Sequence, residues 1–163
     1  GGRGIIAASE DTGAFTDYVF GDRMISEVTS GAIADGSWGA KPSPSAELQA
    51  AWEVVATAGG VDGKGVSSGE SYDAMALIIL AAQAAGSTDR AAIQAEVMNV
   101  ANAPGNKCHA GKLGECLKMI SGGLPVDYVG ATGVELDAVG TPNGSYAEQE
   151  VIAGAFTTVT VHN

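Results

Sequence analysis

Residues 71–85 constrain the fold more than any other part of the chain, because Met75, Leu77, Ile78, Ile79 and Leu80 leave the segment apolar almost all round. A helix of that kind has to be covered over most of its surface. It falls short of the roughly 20 apolar residues of a membrane span, and Gln83 interrupts its longest apolar run, from Ala74 to Ala85. It is therefore predicted to pack inside a folded domain, capped at its start by Ser71 or Asp73 and stopped by Gly86.

The flanking segments supply material to pack against it. Residues 4–8 include β-branched Ile5 and Ile6 and read as a strand, ended by the polar cluster Ser9, Glu10, Asp11 and Thr12. A helix is predicted over residues 13–29, where Phe15, Val19, Met24 and Val28 recur near helical spacing, and residues 32–38 read as a second strand. Strand, helix and strand in that order make a βαβ unit with a parallel pair. Pro42 and Pro44 exclude regular structure around them, and Ser45 is a natural N-cap for a helix running to about Ala58. The Gly- and Ser-rich residues 59–69 are predicted to be a loop, or a short buried strand around Val66.

Beyond Gly86, the capping residues Ser87, Thr88 and Asp89 open a helix over residues 90–102 with a stripe of Ile93, Val97 and Val100. Residues 103–106 form a turn cluster, and residues 112–121 a further short helix. After Gly122 and Gly123 the period changes: Val126, Tyr128, Val134 and Leu136 alternate with other residues, so the tail is β-rich. Residues 137–144 resemble a hairpin turn, and 146–152 with 156–161 are candidate paired strands.

The 163 residues, 45% of them hydrophobic, suffice for one core and are marginal for two lobes. Nineteen acidic against eight basic residues give a formal charge of -11, which argues against nucleic acid and anionic lipid as partners. Residues 1–4 carry none of the marks of a secretion signal. Cys108 and Cys116, separated by a loop containing Gly111 and Gly114, fit a disulfide in an oxidising compartment, two free thiols, or a metal site with His109. The last lacks a fourth ligand and a usual spacing.

From Ser71, Tyr72 and Asp73 through the buried helix to Ser87 and Asp89, the chain resembles the type I periplasmic binding proteins, in particular the branched-chain amino-acid class that serves ABC importers. The resemblance is sharper from Gly122 to Asp137, with Gly140 and Tyr146 behind it, where Val126, Asp127 and Tyr128 lead into a Gly-rich turn. Leu136 stands where that family usually has Phe. Residues 36–42, with Trp38, resemble the family's strand between lobes. The resemblance spans nearly all of the chain but only about the last two-fifths of such a protein. It implies an α/β fold, a parallel sheet with flanking helices and a β-rich carboxy-terminal tail, incomplete relative to the two-lobe fold. In its terms residues 1–38 belong to the second lobe, 39–122 to the first, and 123–163 to the interlobe crossover and closing segment.

The family's amino-acid binders pair a carboxylate that follows a second-lobe strand with the ligand's ammonium group, whose three donors call for an acceptor-only partner. Glu10 or Asp11 stands at that place, with Ser9 beside them, and helix capping is the competing role. Glu70, with Ser68 and Gly69, lies in a loop that the resemblance turns toward the cleft. Tyr72 and Asp73 read as packing and capping, Trp38 and Trp52 as core. His109 and His162 have no paired nucleophile, and no phosphate-binding loop of the Walker kind occurs. The expected function is capture of a small polar solute, an amino acid or related amide, outside the cytoplasm, for an ABC permease in the membrane. No cofactor, metal or catalytic residue is expected. The partners expected are the solute, the permease, and the missing amino-terminal portion or a second chain. The alternatives are a ligand-sensing module of a receptor, or a fragment that assembles through its exposed lobe interface.

Overall fold

The computed structural model describes residues 2–27, 35–65 and 67–162. The chain divides into two compact units, the first made of Gly1–Ser43 with Ser145–Asn163 and the second of Pro44–Gly144. The tail is thus split: residues 123–144 belong with the helices that precede them, and the last hairpin belongs with the start of the chain.

The first unit contains α1 (Gly2–Thr12), β1 (Val19–Phe20), α2 (Asp22–Glu27), β2 (Trp38–Pro42), β5 (Tyr146–Ile152) and β6 (Ala155–His162). Its four strands lie in the order β1-β2-β5-β6, with β1 and β2 parallel and the other neighbours antiparallel. The expected assignment at the amino terminus is corrected here. Residues 4–8 are helical, and the predicted helix 13–29 contains the short β1 and ends in α2. Ile6 is buried while its neighbour Ile5 is exposed, which a helix with one covered face satisfies as readily as a strand. A βαβ unit does occur, in the form β1-α2-β2. Of the predicted second strand, residues 32–34 lie outside the described residues, residues 35–37 are turn and irregular chain, and strand geometry begins at Trp38. Ile6, Phe20, Ile25 and Val151 form the core of this unit, with Tyr18, Met24 and Phe156 against them. The β5–β6 hairpin forms as predicted, with a register shift between Glu148 and Gln149.

In the second unit, α3 (Ala46–Ala58), α4 (Ser68–Ala85), α5 (Arg90–Ala101) and α6 (Leu113–Ser121) accompany the parallel pair β3 (Asn106–His109) and β4 (Val126–Gly130). The Ser45 side chain accepts from Leu48 N–H, and Asp89 accepts from Ala91 and Ala92 N–H. Gly86, at φ 57°, ends α4 in the left-handed conformation. Helix α4 starts earlier than predicted, so Ser68, Gly69 and Glu70 lie in its first turn, and neither Ser71 nor Asp73 caps it. The possible strand around Val66 is centred outside the described residues. Strand β3 was hidden in the sequence, because Asn106, Lys107 and His109 are polar and only Cys108 is buried. Leu80, Val100, Cys108, Cys116, Val126 and Tyr128 build the core, closed from the tail by Val134 and Leu136. Among the described residues no helix is long and apolar enough to cross a membrane.

Candidate functional site

In open α/β sheets, ligands gather at the carboxyl ends of the strands. In the second unit that edge is formed by His109 at the end of β3, Gly130 at the end of β4, and the turns that follow them. The organising group is Asp73. It lies in the second turn of α4, at the head of that helix's apolar run, and is buried. One carboxylate oxygen accepts from the Tyr128 hydroxyl at 2.7 Å and Ala131 N–H at 2.8 Å. The other accepts from Thr132 N–H at 2.9 Å and the Thr132 hydroxyl at 2.7 Å. Four donors thereby compensate a buried charge and pin the 130–132 turn to α4.

Gly130 makes this approach possible. Its φ of +63° is left-handed, and a Cβ there would run into the Asp73 carboxylate. Gly69, one turn earlier on α4, is packed so that a Cβ would lie 3.0 Å from the Thr132 methyl and 3.4 Å from Ala131 Cβ. Tyr72 extends the edge: its hydroxyl accepts from Gly111 N–H at 3.0 Å, and its ring lies 4.9 Å from that of Trp52. Trp52 is core, as expected, but its indole N–H has no partner among the described residues.

These contacts limit what the edge can do. Burial and the adjacent Asp73 charge push the Tyr128 phenol well above its usual range, so it remains a donor at any physiological pH. Asp73 has every oxygen engaged and no opening for a substrate proton. Neither forms the nucleophile-and-base pair that acyl or phosphoryl transfer requires.

The expected ligand residues are placed differently. Ser9, Glu10 and Asp11 lie in the last turn of α1 and not after a strand, so they do not cap a following helix. Glu10 and Asp11 are exposed; Ser9 is buried, and its hydroxyl has no partner among the described residues. Glu70 is exposed in the first turn of α4, beside the Asp73 edge, and belongs to the second unit while Glu10 and Asp11 belong to the first. Trp38, expected in the core, is about half exposed on β2.

Cys108 and Cys116 sit in disulfide geometry with Cα atoms 6.0 Å apart, tying β3 to α6. On the opposite face of β3 and β4, Lys107 Nζ meets Asp127 at 2.6 Å. That carboxylate raises the Lys107 pKa. The second Asp127 oxygen is buried and has no partner among the described residues.

The fold has a counterpart among solved structures. The chain matches the leucine-binding protein LivK of Thermotoga maritima with a TM-score of 0.59 over 98% of its own length, at 19% identity. The two share a fold. The match spans 41% of the length of that protein, so this chain corresponds to less than half of it. No family model matches the sequence, and neither does any curated protein.

The role of Asp73 was the main feature missed by sequence reasoning. Its signal was a carboxylate at the head of an apolar run, where a buried charge survives only if donors from elsewhere in the fold reach it.

Proposed function

We propose that the chain is part of an extracytoplasmic solute-binding protein of the branched-chain amino-acid type, which captures a small polar solute and presents it to an ABC importer. The observation that carries this reading is the fold shared with a leucine-binding protein over nearly the whole chain. Solute capture by such a fold needs shape and polar contacts and no covalent chemistry, which agrees with an edge whose carboxylate and phenol are engaged with each other. The solute is an amino acid or related amide. Glu10, with Asp11 and Ser9 beside it, is the proposed acceptor for its ammonium group, and Glu70 is a second candidate ligand residue. The Cys108–Cys116 bond suits an oxidising compartment outside the cytoplasm.

The test uses the complete gene product that contains these residues, titrated with leucine and with an isosteric solute lacking the amine, in the wild type and in Glu10→Gln. The reading predicts that the substitution weakens leucine binding by about 10- to 100-fold, the worth of one charge-assisted hydrogen bond, and leaves the neutral solute nearly unchanged. Equal losses for both would remove Glu10 from the site.

A further inference from the structure

Three asparagines of the second unit are held by their side-chain amides. Asn99 donates to Glu96 at 3.0 Å, and Asn106 donates to the Pro125 carbonyl at 2.9 Å. Asn102 both donates to the Leu136 carbonyl and accepts from the Leu136 N–H, each at 2.9 Å. Asn143 differs from them. It is exposed, and its side-chain amide has no hydrogen-bond partner among the described residues. It is also followed by glycine, whereas the other three precede Val100, Lys107 and Ala103.

The backbone on either side of this pair is anchored. Pro142 bridges to Leu136, and the Asn143 N–H donates to the Glu135 carbonyl at 2.8 Å. Strand β5 then starts at Tyr146, which pairs with Pro42 of β2. Between those points Gly144 is exposed and belongs to no helix or strand, and its N–H has no acceptor among the described residues. An exposed backbone nitrogen that is not engaged in a ladder is free to act as a nucleophile once it loses its proton. Glycine, with no Cβ, leaves that nitrogen unhindered and the local dihedrals open.

We propose that Asn143 is a modification site, deamidated spontaneously with water as the only co-reactant. The Gly144 nitrogen gives up its proton and bonds to the side-chain carbonyl carbon of Asn143. The bond from that carbon to Nδ2 breaks, ammonia leaves, and a succinimide ring closes. Water opens the ring at either carbonyl, giving aspartate or isoaspartate. The balance is one water gained and one ammonia lost, with no change of oxidation state. Side-chain amides of this kind are the thermolabile groups that heat-adapted proteins reduce in number.

The position gives the change a consequence. The chain passes from the second unit to the first between Gly144 and Ser145. Either product adds one negative charge to a chain already at -11. Isoaspartate also routes the backbone through the side-chain carbon, which lengthens the path by one atom just before β5 and loosens the pairing of Tyr146 with Pro42.

The test is to age the folded 163-residue chain in mildly alkaline buffer beside Asn143→Gln, Gly144→Ala and a synthetic peptide of residues 140–146. Isoelectric focusing, ammonia release and peptide mapping by mass follow the reaction. An acidic form accumulates in the wild-type chain with ammonia released in equal amount, and the mass change from amide to acid maps to the peptide containing Asn143. That form is lost in Asn143→Gln and accumulates more slowly in Gly144→Ala. No conversion of the folded chain overturns the proposal, whether or not the free peptide converts. An acidic form that maps to Asn99, Asn102 or Asn106, or that persists in Asn143→Gln, overturns it too. Amide hydrogen exchange reads the consequence: protection at residues 146–148 is lost in the separated isoaspartyl form and kept in the fresh chain. Equal protection in the two overturns the effect on β5.

Discussion

The Tyr128 hydroxyl donates to the Asp73 carboxylate at 2.7 Å, joining the middle of strand β4 to the first turns of helix α4 across 55 residues of sequence. Removing the carboxylate leaves Ala131 N–H, Thr132 N–H and the phenol without their acceptor in a buried setting. Asp73→Ala is expected to destabilise the second unit by about 3–5 kcal/mol, and Tyr128→Phe by about 1–2 kcal/mol. Urea unfolding followed by Trp52 fluorescence in a Trp38→Phe background measures both; equal effects of the two substitutions would show that Asp73 is not the hub.

The same pair sets a pH dependence. The folded-state pKa of Tyr128 is raised above its unfolded value of about 10. Its contribution to stability is therefore fully present below pH 10 and falls as pH rises above that, because the unfolded chain then releases a proton that the folded chain keeps. The slope attributable to this group is at most about 1.4 kcal/mol per pH unit. Absorbance titration should show one of the four tyrosines ionising only on unfolding, and Tyr128→Phe should abolish that step and flatten the alkaline limb.

Cys108 and Cys116 enclose a short loop, so their bond should be worth about 2–3 kcal/mol by loop-closure entropy. Reduction, or the pair Cys108→Ser and Cys116→Ser, is expected to lower the unfolding midpoint of the second unit without abolishing its fold, since Leu80, Val126 and Tyr128 remain packed. Mass spectrometry with alkylation before and after reduction checks the bond itself. Two thiols alkylated without reductant would contradict it.

Asp89 caps α5 by accepting from the N–H groups of both Ala91 and Ala92. Asp89→Ala should cost about 1 kcal/mol, and Asp89→Ser should restore most of it. Thermal unfolding of the three proteins under one condition decides the matter.

The second unit was legible in the sequence where local chemistry dominates. Ser45 and Asp89 as caps and Gly86 as a stop are written in adjacent residues, whereas the expected burial of α4 holds for one side only, since Met75, Ile78 and Ile79 are exposed. The amino-terminal segment was not legible, because residues 4–8 are a short apolar run that periodicity assigns equally to strand or helix. Strand β3 was silent for a different reason: a strand with one buried residue is defined by its neighbour β4, and pairing partners are not visible in a linear pattern. The site was harder still. Glu10 and Asp11 were placed by resemblance to a position after a strand and lie instead at the end of α1, while the carboxylate with the richest set of partners, Asp73, read as a cap because its donors lie far along the chain.

Calorimetric titration of leucine into the complete gene product, with the Cys108–Cys116 bond intact, tests the central claim most directly. The account predicts saturable binding of leucine or another small amino acid or amide, one per chain, with a rise in unfolding temperature that grows with solute concentration. No heat and no thermal shift with any of these solutes would contradict it.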